Sequence, residues 1–415
     1  MKVLWIINIE LPAIENIFGR HTVIGGWLDQ TSRQLADTAD VELAVACPSN
    51  DEYFDEAIDG IRFFSFMFCE KCVQKFTRIL NNYCPDIVHI WGTEHVHSLT
   101  AIMAAEQAQL IKSTVVSIQG LVSIYAFHYC EGIPNSIIHH RTLKEWLGRP
   151  NIMDACNQMK DTGKYEKEVI YKAQNVIGRT DWDLACIKQL NPKAKYYHCN
   201  ETLRKEFYQK RWTVNRCQRK TIFFSQYHYP VKGIHNLLNA LPLLVRKYPD
   251  MHVYVVGDNL LDTQKGIRAY KHSSYEWYLL ELINKNNLDK YFTFLGKLDA
   301  SQMVEYYCKA NVFVCSSNIE NSSNSVGEAM LIGTPVVASD VGGIKSLLTH
   351  EKEGLIYQNS AYYMLADCID RIWSDDFLAE RLSTNARNRA YKTHNADCNL
   401  RTLLNIYEEL RLKGI

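Results

Sequence analysis

The chain has 415 residues, with 46 Lys and Arg against 46 Asp and Glu, a formal net charge of zero, and a composition that is 47% hydrophobic and 22% charged. That length implies about two domains, and that composition excludes a disordered or fibrous chain. The even charge argues against a nucleic-acid partner, although it permits a local basic patch.

The 13 cysteines are odd in number and lack paired short spacing, so they read as mostly buried thiols in a reducing compartment. The first apolar run, Met1–Ile7, is broken by Asn8 and Glu10 and suits a buried strand better than a signal-peptide core. No apolar stretch approaches the roughly 18–20 residues that cross a bilayer. The expectation is a cytoplasmic protein that at most rests peripherally on the inner face of a membrane.

Along the chain, short runs rich in β-branched and aromatic residues alternate with longer amphipathic stretches. The runs of the first half are Val3–Ile7, Val41–Cys47, Ile61–Phe66, Ile87–Trp91, Val115–Ile118 and Val176–Gly178. Near-continuous apolarity over so few residues predicts parallel strands covered on both faces. The second half repeats the rhythm with Thr221–Phe224, Val253–Val256, Phe292–Leu295, Val312–Cys315, Pro335–Ser339 and Leu355–Tyr357. Helices are expected between them, at Ile234–Lys247, Tyr275–Asn286 and Ser301–Lys309. Two βαβ series predict an α/β protein of two doubly wound domains facing a central cleft. The domains are read as 1–204 and 221–395, joined by a linker at 205–220, with a last helix from about 396 to 415 packing back on the first domain. The basic stretch Arg204–Lys220 reads either as a solvated linker or as a contact for an anionic substrate or membrane, with Phe207, Tyr208 and Trp212 as interfacial anchors.

Several familiar site motifs are absent: no G-x-G-x-x-G after the first strand, no P-loop and no nucleophile elbow. Cys69 and Cys72 are a lone C-x-x-C pair, and His95, His97, His139 and His140 lack ligand spacing, so no metal site is expected. The informative segment is Phe313–Val341, FVCSSNIENSSNSVGEAMLIGTPVVASDV. It reads as a strand, a polar loop, a helix from about Ser325 and a second strand, with Glu320 in the loop and Glu328 in the first helical turn. Unpaired N–H groups at that helix start suit an anion. The spelling Ser325-Val326-Gly327-Glu328 is equally that of a capping box, in which Glu328 satisfies the helix start.

The segment resembles the E-x7-E segment of family 4 retaining glycosyltransferases, whose GT-B fold sets two Rossmann-like domains about a nucleotide-sugar cleft. Other stretches carry the resemblance in the same order. Ile24-Gly25-Gly26-Trp27 looks like the family's glycine loop, and Asp86–Gly92, DIVHIWG, like its D-[IV]-[IV]-H segment. Phe223–Gly233, FFSQYHYPVKG, ends in the family's Lys-Gly pair; Val255–Asp258, Phe294–Gly296 and Asp340–Gly343 follow in place.

The resemblance implies transfer of a hexosyl unit, with retained configuration, from a nucleoside-diphosphate sugar (UDP-linked by default) to a glycan or lipid-linked acceptor. Glu320 would orient the sugar and Glu328 the ribose. Lys232, the amides at Gly25 and Gly26 and the helix start at Asn324, Ser325 and Val326 would face the diphosphate, with Gly257 and Tyr227 completing the donor set. No cofactor or metal is implied beyond the nucleotide-sugar substrate. Two departures stand out. The family's diphosphate-binding Arg is replaced by Ser225-Gln226-Tyr227, which leaves its charge to His228 or Arg179. Its His near the reacting sugar is replaced by Gln119, with His128 either a substitute or an ordinary loop histidine. Asn200–Arg204 either lines the cleft or serves the fold, and Gly120–Lys164 is the expected acceptor region. The rival readings are a sugar-nucleotide epimerase and a non-catalytic partner on the same fold.

Overall fold

The fold is taken from a computed structural model that describes residues 1–14, 26–49, 54–67, 72–263 and 272–414. Ile24 and Gly25 of the glycine loop, and Cys69, lie outside these residues. The chain divides into two compact units, Met1–Ser123 with Lys160–Arg204 and Thr393–Ile415, and Ile124–Met159 with Lys205–Lys392. Residues 124–159, read from the sequence as part of the first domain, thus group with the second unit.

The first unit holds an eight-stranded sheet. Its strands are β1 (Lys2–Ile6), β2 (Glu42–Pro48), β3 (Asp55–Ile58), β4 (Ile61–Phe66), β5 (Ile87–Trp91), β6 (Thr114–Ser117), β7 (Asn175–Gly178) and β8 (Lys195–His198). The order is β3-β4-β2-β1-β5-β6-β7-β8, parallel except for β3, which pairs antiparallel with β4. The central strands are buried on both faces, with Val3 through Ile6 and Leu43 through Cys47 almost inaccessible to water, which is why they read as unbroken apolar runs. The two strands that the apolar pattern misses, β3 and β8, are the sheet's edges. Edge strands keep one side in water, and DEAI and KYYH accordingly carry polar residues. The β3–β4 turn, Asp59-Gly60, has φ of 49° and 78°, the primed-turn chemistry of a tight hairpin.

The last helix, Ala396–Gly414, packs in this unit against the helix Gly26–Ala36 and β5. Its Tyr407 is inaccessible to water. The Tyr407 hydroxyl accepts from Trp5 Nε1 at 2.9 Å and meets His89 Nδ1 at 2.6 Å, while His89 Nε2 meets Ser117 Oγ at 2.7 Å. Burial lowers the His89 pKa to about 3, so the ring is neutral. A polar chain across β1, β5 and β6 therefore fixes where this helix docks.

The second unit holds a six-stranded, all-parallel sheet of β9 (Gln218–Phe224), β10 (His252–Val255), β11 (Phe292–Phe294), β12 (Ala310–Cys315), β13 (Val336–Ser339) and β14 (Leu355–Tyr357). Its order, β11-β10-β9-β12-β13-β14, reverses direction between β9 and β12. Ligands of doubly wound sheets bind at the carboxyl ends of the strands at such a reversal.

Candidate functional site

Both loops that follow the reversal carry charge. After β9 the chain runs through a single 3-10 turn, Pro230–Lys232, into the helix Ile234–Lys247. Gly233 joins them at φ 68°, and a Cβ there would fall 1.9 Å from the Ser316 carbonyl oxygen. Only glycine allows the two loops to touch so closely. Ser316 Oγ donates to the Gly233 carbonyl at 2.7 Å and the Asn318 N–H to the Val231 carbonyl at 2.8 Å, tying the β12 loop to the β9 loop.

The result is an ion pair at the sheet's reversal. Lys232 Nζ lies 2.7 Å from Glu320 Oε1, which also accepts from Ser317 Oγ at 2.8 Å. Glu320 is almost buried, at 6% exposure. Burial opposes the charge on Lys232, but the Glu320 carboxylate outweighs it and raises the lysine's pKa, so the lysine is held charged. The Glu320 carbonyl accepts from the Gly343 N–H at 2.9 Å, and Gly342, at φ 47°, comes so close that a Cβ would sit 1.9 Å from that carbonyl oxygen. The carboxylate is held from both ends of its loop.

The following helix begins at Asn324, with Ser323 as its N-cap. Ser325 is therefore already helical and Glu328 lies in the second turn, so the capping-box reading fails. Glu328 is 6% exposed, and the Tyr307 hydroxyl, donating to the Ser325 carbonyl at 3.1 Å, reaches Glu328 Oε2 at 3.5 Å. The N-cap Ser323 makes no side-chain capping bond to the helix backbone; its hydroxyl lies 3.1 Å from that of Ser325. Asn324, Ser325 and Val326 form the first turn, where N–H groups and the helix dipole favour an anion.

The family model for glycosyl transferases group 1 matches residues 207–389, nearly all of the second unit's main segment. The second unit carries a group 1 glycosyltransferase domain. The chain is 28% identical over 197 residues to spore coat protein SA of Bacillus subtilis, covering 46% of this chain and 50% of that one. It is 27% identical over 204 residues to phosphatidyl-myo-inositol mannosyltransferase of Mycobacterium tuberculosis, covering 48% and 49%. The chain thus spans about half the length of these curated relatives. Among solved structures, sucrose-phosphate synthase of Thermosynechococcus elongatus superposes with a TM-score of 0.69 at 18% identity, covering 99% of this chain and 98% of that one. Anabaena HepE in complex with UDP-glucose gives 0.67 at 16% identity, covering 99% of each chain. These likenesses show the GT-B fold, two Rossmann-like parallel-sheet units.

Other expected residues of the second unit take different places. Tyr227 is buried; its hydroxyl donates to the Asp258 carbonyl at 2.7 Å and its ring packs against Phe294. Gly257 lies over Tyr227 and His228, so that a Cβ would meet Tyr227 Cε1 at 2.5 Å. Both residues serve the turn after β10. His128 ends a short helix, Val122–His128, half exposed and 3.2 Å from Glu131 Oε2. The basic stretch departs from one expectation: Phe207 and Trp212 are buried, Trp212 Nε1 donating to the Ala310 carbonyl at 2.7 Å. They anchor the stretch in the core and cannot be interfacial anchors. Lys210, Arg211, Arg216 and Lys309 line an open concavity of about 970 Å³ beside it.

In the first unit Arg179 is committed elsewhere. Its guanidinium pairs with Glu201 and donates to the Gln119 carbonyl at 3.1 Å, while Gln119 Nε2 donates to Glu201 Oε1 at 3.2 Å. Burial raises the Glu201 pKa although Arg179 and Gln119 oppose it. This half-buried trio binds the loops after β6, β7 and β8 together, so the second residue of Asn200–Arg204 is the acidic partner of Arg179. Gly26 opens the helix Gly26–Ala36.

Sequence reasoning missed Asn236, Asn318, His235 and Glu131. Asn236 Nδ2 donates to the Ser316 carbonyl at 3.2 Å and to Asn318 Oδ1 at 3.0 Å. Asn318 Nδ2 and His235 Nε2 each lie 3.0 Å from the Glu131 carbonyl, which pins residues 124–159 to the Glu320 loop. A carbonyl only accepts, so His235 carries its proton on Nε2 and takes the Tyr275 hydroxyl on Nδ1 at 3.0 Å. The one available signal was the unusual polarity of Ser316–Ser325 after a buried strand. Among the described residues no helix is long and apolar enough to cross a membrane, and no group of three or more His, Cys, Asp or Glu is placed to hold a metal ion.

Proposed function

We propose that the chain is a retaining hexosyltransferase that moves a sugar from a nucleoside-diphosphate donor, UDP-linked by default, to a hydroxyl of a glycan or lipid-linked acceptor in surface polysaccharide synthesis on the cytoplasmic side. The observation that carries this reading is the Lys232–Glu320 pair, held at the strand reversal of a group 1 domain by two glycines that tolerate no side chain. The reaction breaks the bond between the anomeric carbon and the diphosphate and forms one to the acceptor oxygen on the same face. The acceptor's proton passes to the departing diphosphate.

In this reading Lys232 and the N–H groups at Asn324–Val326 stabilise charge developing on the diphosphate, the kind of fixed electrostatics that lowers such barriers most. Glu320 orients the sugar hydroxyls and Glu328 the ribose. With Arg179 committed to Glu201, Lys232 is a cation available to the diphosphate, which takes over as its partner when donor binds. The proposed chemistry needs no metal. Solved complexes of Anabaena HepE with UDP and with UDP-glucose support the donor class, and the mannosyltransferase relative supports an acceptor carrying lipid.

The test is turnover of a panel of UDP-, GDP- and ADP-sugars with glycan and polyprenyl-linked acceptors, with the product's anomeric configuration read by NMR and a chelator added in parallel. Acceptor-dependent release of nucleoside diphosphate with retention, unaffected by chelator, supports the reading. Conversion of donor without acceptor would make the chain an epimerase instead.

A further inference from the structure

The first unit's sheet has two ends. Gln119 and Arg179 follow the carboxyl ends of β6 and β7, and at the opposite ends, roughly 13 Å away for four-residue strands, lies an open concavity of about 870 Å³. Lys112, Lys172, Lys193, Lys195 and Lys413 line it, together with Tyr171, a residue 78% exposed.

Two carboxylates offset these five cations. Lys172 Nζ lies 2.9 Å from Glu106, while Lys195 and Lys413 share Glu409 at 2.6 and 2.7 Å. Among the described residues Lys112 and Lys193 have no ion-pair partner. Three positive charges are therefore uncompensated at one place in a chain whose net charge is zero.

The backbone beneath the unpaired lysines is fixed. Asn175 Nδ2 donates to the Lys112 carbonyl at 3.0 Å and the Thr114 carbonyl at 3.1 Å. Asn191 Nδ2 donates to the Ile170 and Ala173 carbonyls at 2.8 and 2.9 Å, and its Oδ1 accepts from the Lys193 N–H at 3.2 Å. Both asparagines are buried. The lysines thus stand on a preset frame, and only their flexible stems adjust.

We propose that this concavity is a second binding site, for a phosphorylated ligand, with phosphate oxygens on Lys112, Lys193 and Lys195 and the ligand's body beside Tyr171. Ammonium groups on rotatable stems suit phosphate as point charges. The shared chemistry is the phosphate group, carried by a soluble molecule or by a lipid headgroup. The proposal does not depend on the reading of the donor site, which lies in the other unit.

The experiment uses the full chain, tripolyphosphate in calorimetric titration with saturating UDP present, and flotation with phosphatidylglycerol-containing against pure phosphatidylcholine vesicles. Wild type should bind tripolyphosphate undisplaced by UDP, more weakly as salt rises. K112E/K193E should lose roughly tenfold or more in affinity, the equivalent of about 1.4 kcal/mol, at unchanged melting temperature. Binding only to the anionic vesicles, abolished in K112E/K193E, would support the site with a headgroup as its ligand. Binding to neither probe, or equal binding by wild type and variant, would overturn it. If K112E/K193E does not fold, K112Q/K193Q decides by the same criteria.

Discussion

Replacing Lys232 with Met would leave Glu320 as a nearly buried carboxylate whose remaining contact is Ser317 Oγ at 2.8 Å. Breaking a fully buried ion pair costs about 3–5 kcal/mol. The lysine side chain is 30% exposed, so water reaches part of the vacated site and about 2 kcal/mol is the better expectation. Glu320→Gln keeps an oxygen for Ser317 and leaves a lysine that can turn toward water, so about 1 kcal/mol is expected. The double variant removes both charges and should cost less than the two singles together, a coupling of about 1–2 kcal/mol. The assay is thermal unfolding of the four proteins, following the second unit's transition, where 1 kcal/mol corresponds to roughly 2–4 °C for a domain of this size. Lys232→Met should fall by about 4–8 °C, and the double variant should recover part of that. Strict additivity of the singles would refute the pair as a buried, mutually dependent unit.

Further predictions concern the frame around that pair and the first unit. Gly233→Ala should cost about 2 kcal/mol or more and impair donor binding, since its Cβ would sit 1.9 Å from the Ser316 carbonyl oxygen at a φ of 68°; an unchanged melting temperature would contradict the close approach. Burial pushes the Glu166 carboxyl from 4.5 up to about 7, against donors from Ser123 and Val122. The folded state then holds a proton that the unfolded chain has lost, so stability should fall as pH rises from about 4.5 to about 7, by at most about 3 kcal/mol. Glu166→Gln should flatten that slope in pH-dependent denaturation, and an unchanged slope would assign it to other groups. Tyr407→Phe should cost about 1–3 kcal/mol by leaving Trp5 Nε1 and His89 Nδ1 unsatisfied, with hydrogen exchange of the last helix rising first; equal protection there would show that the polar chain does not fix its docking.

The strands covered on both faces were legible in the sequence because burial makes them short apolar blocks. Those of β4, β5 and β14 match residue for residue, whereas the edge strands β3 and β8 were missed because their exposed sides dilute the apolar signal. The E-x7-E pair and Lys232 could be found by motif, and Gly233 by its place after the lysine. What a motif cannot supply is the partner of each side chain. Arg179 was a candidate for diphosphate until its contact with Glu201, twenty-two residues on, showed it occupied. Tyr227 had the right address and the wrong direction, since its ring turns into the core under Gly257. Residues 124–159 join the second unit through a backbone carbonyl at Glu131, which has no side-chain signature at all, and through the Glu145 carboxylate, which accepts from the Ser274 N–H and Oγ at 2.8 and 2.9 Å and pairs with a residue 129 positions on.

The central claim is a nucleoside-diphosphate site that depends on Glu328. It is tested most directly by the thermal stability of wild type and Glu328→Ala against a panel of nucleotides and nucleotide sugars. A ligand at about 100 times its dissociation constant adds roughly 2.7 kcal/mol to a protein that binds it only when folded. The account predicts that one nucleoside diphosphate and its sugar raise the melting temperature of wild type and leave Glu328→Ala unmoved. Stabilisation of neither protein by any ligand, or of both alike, would contradict it.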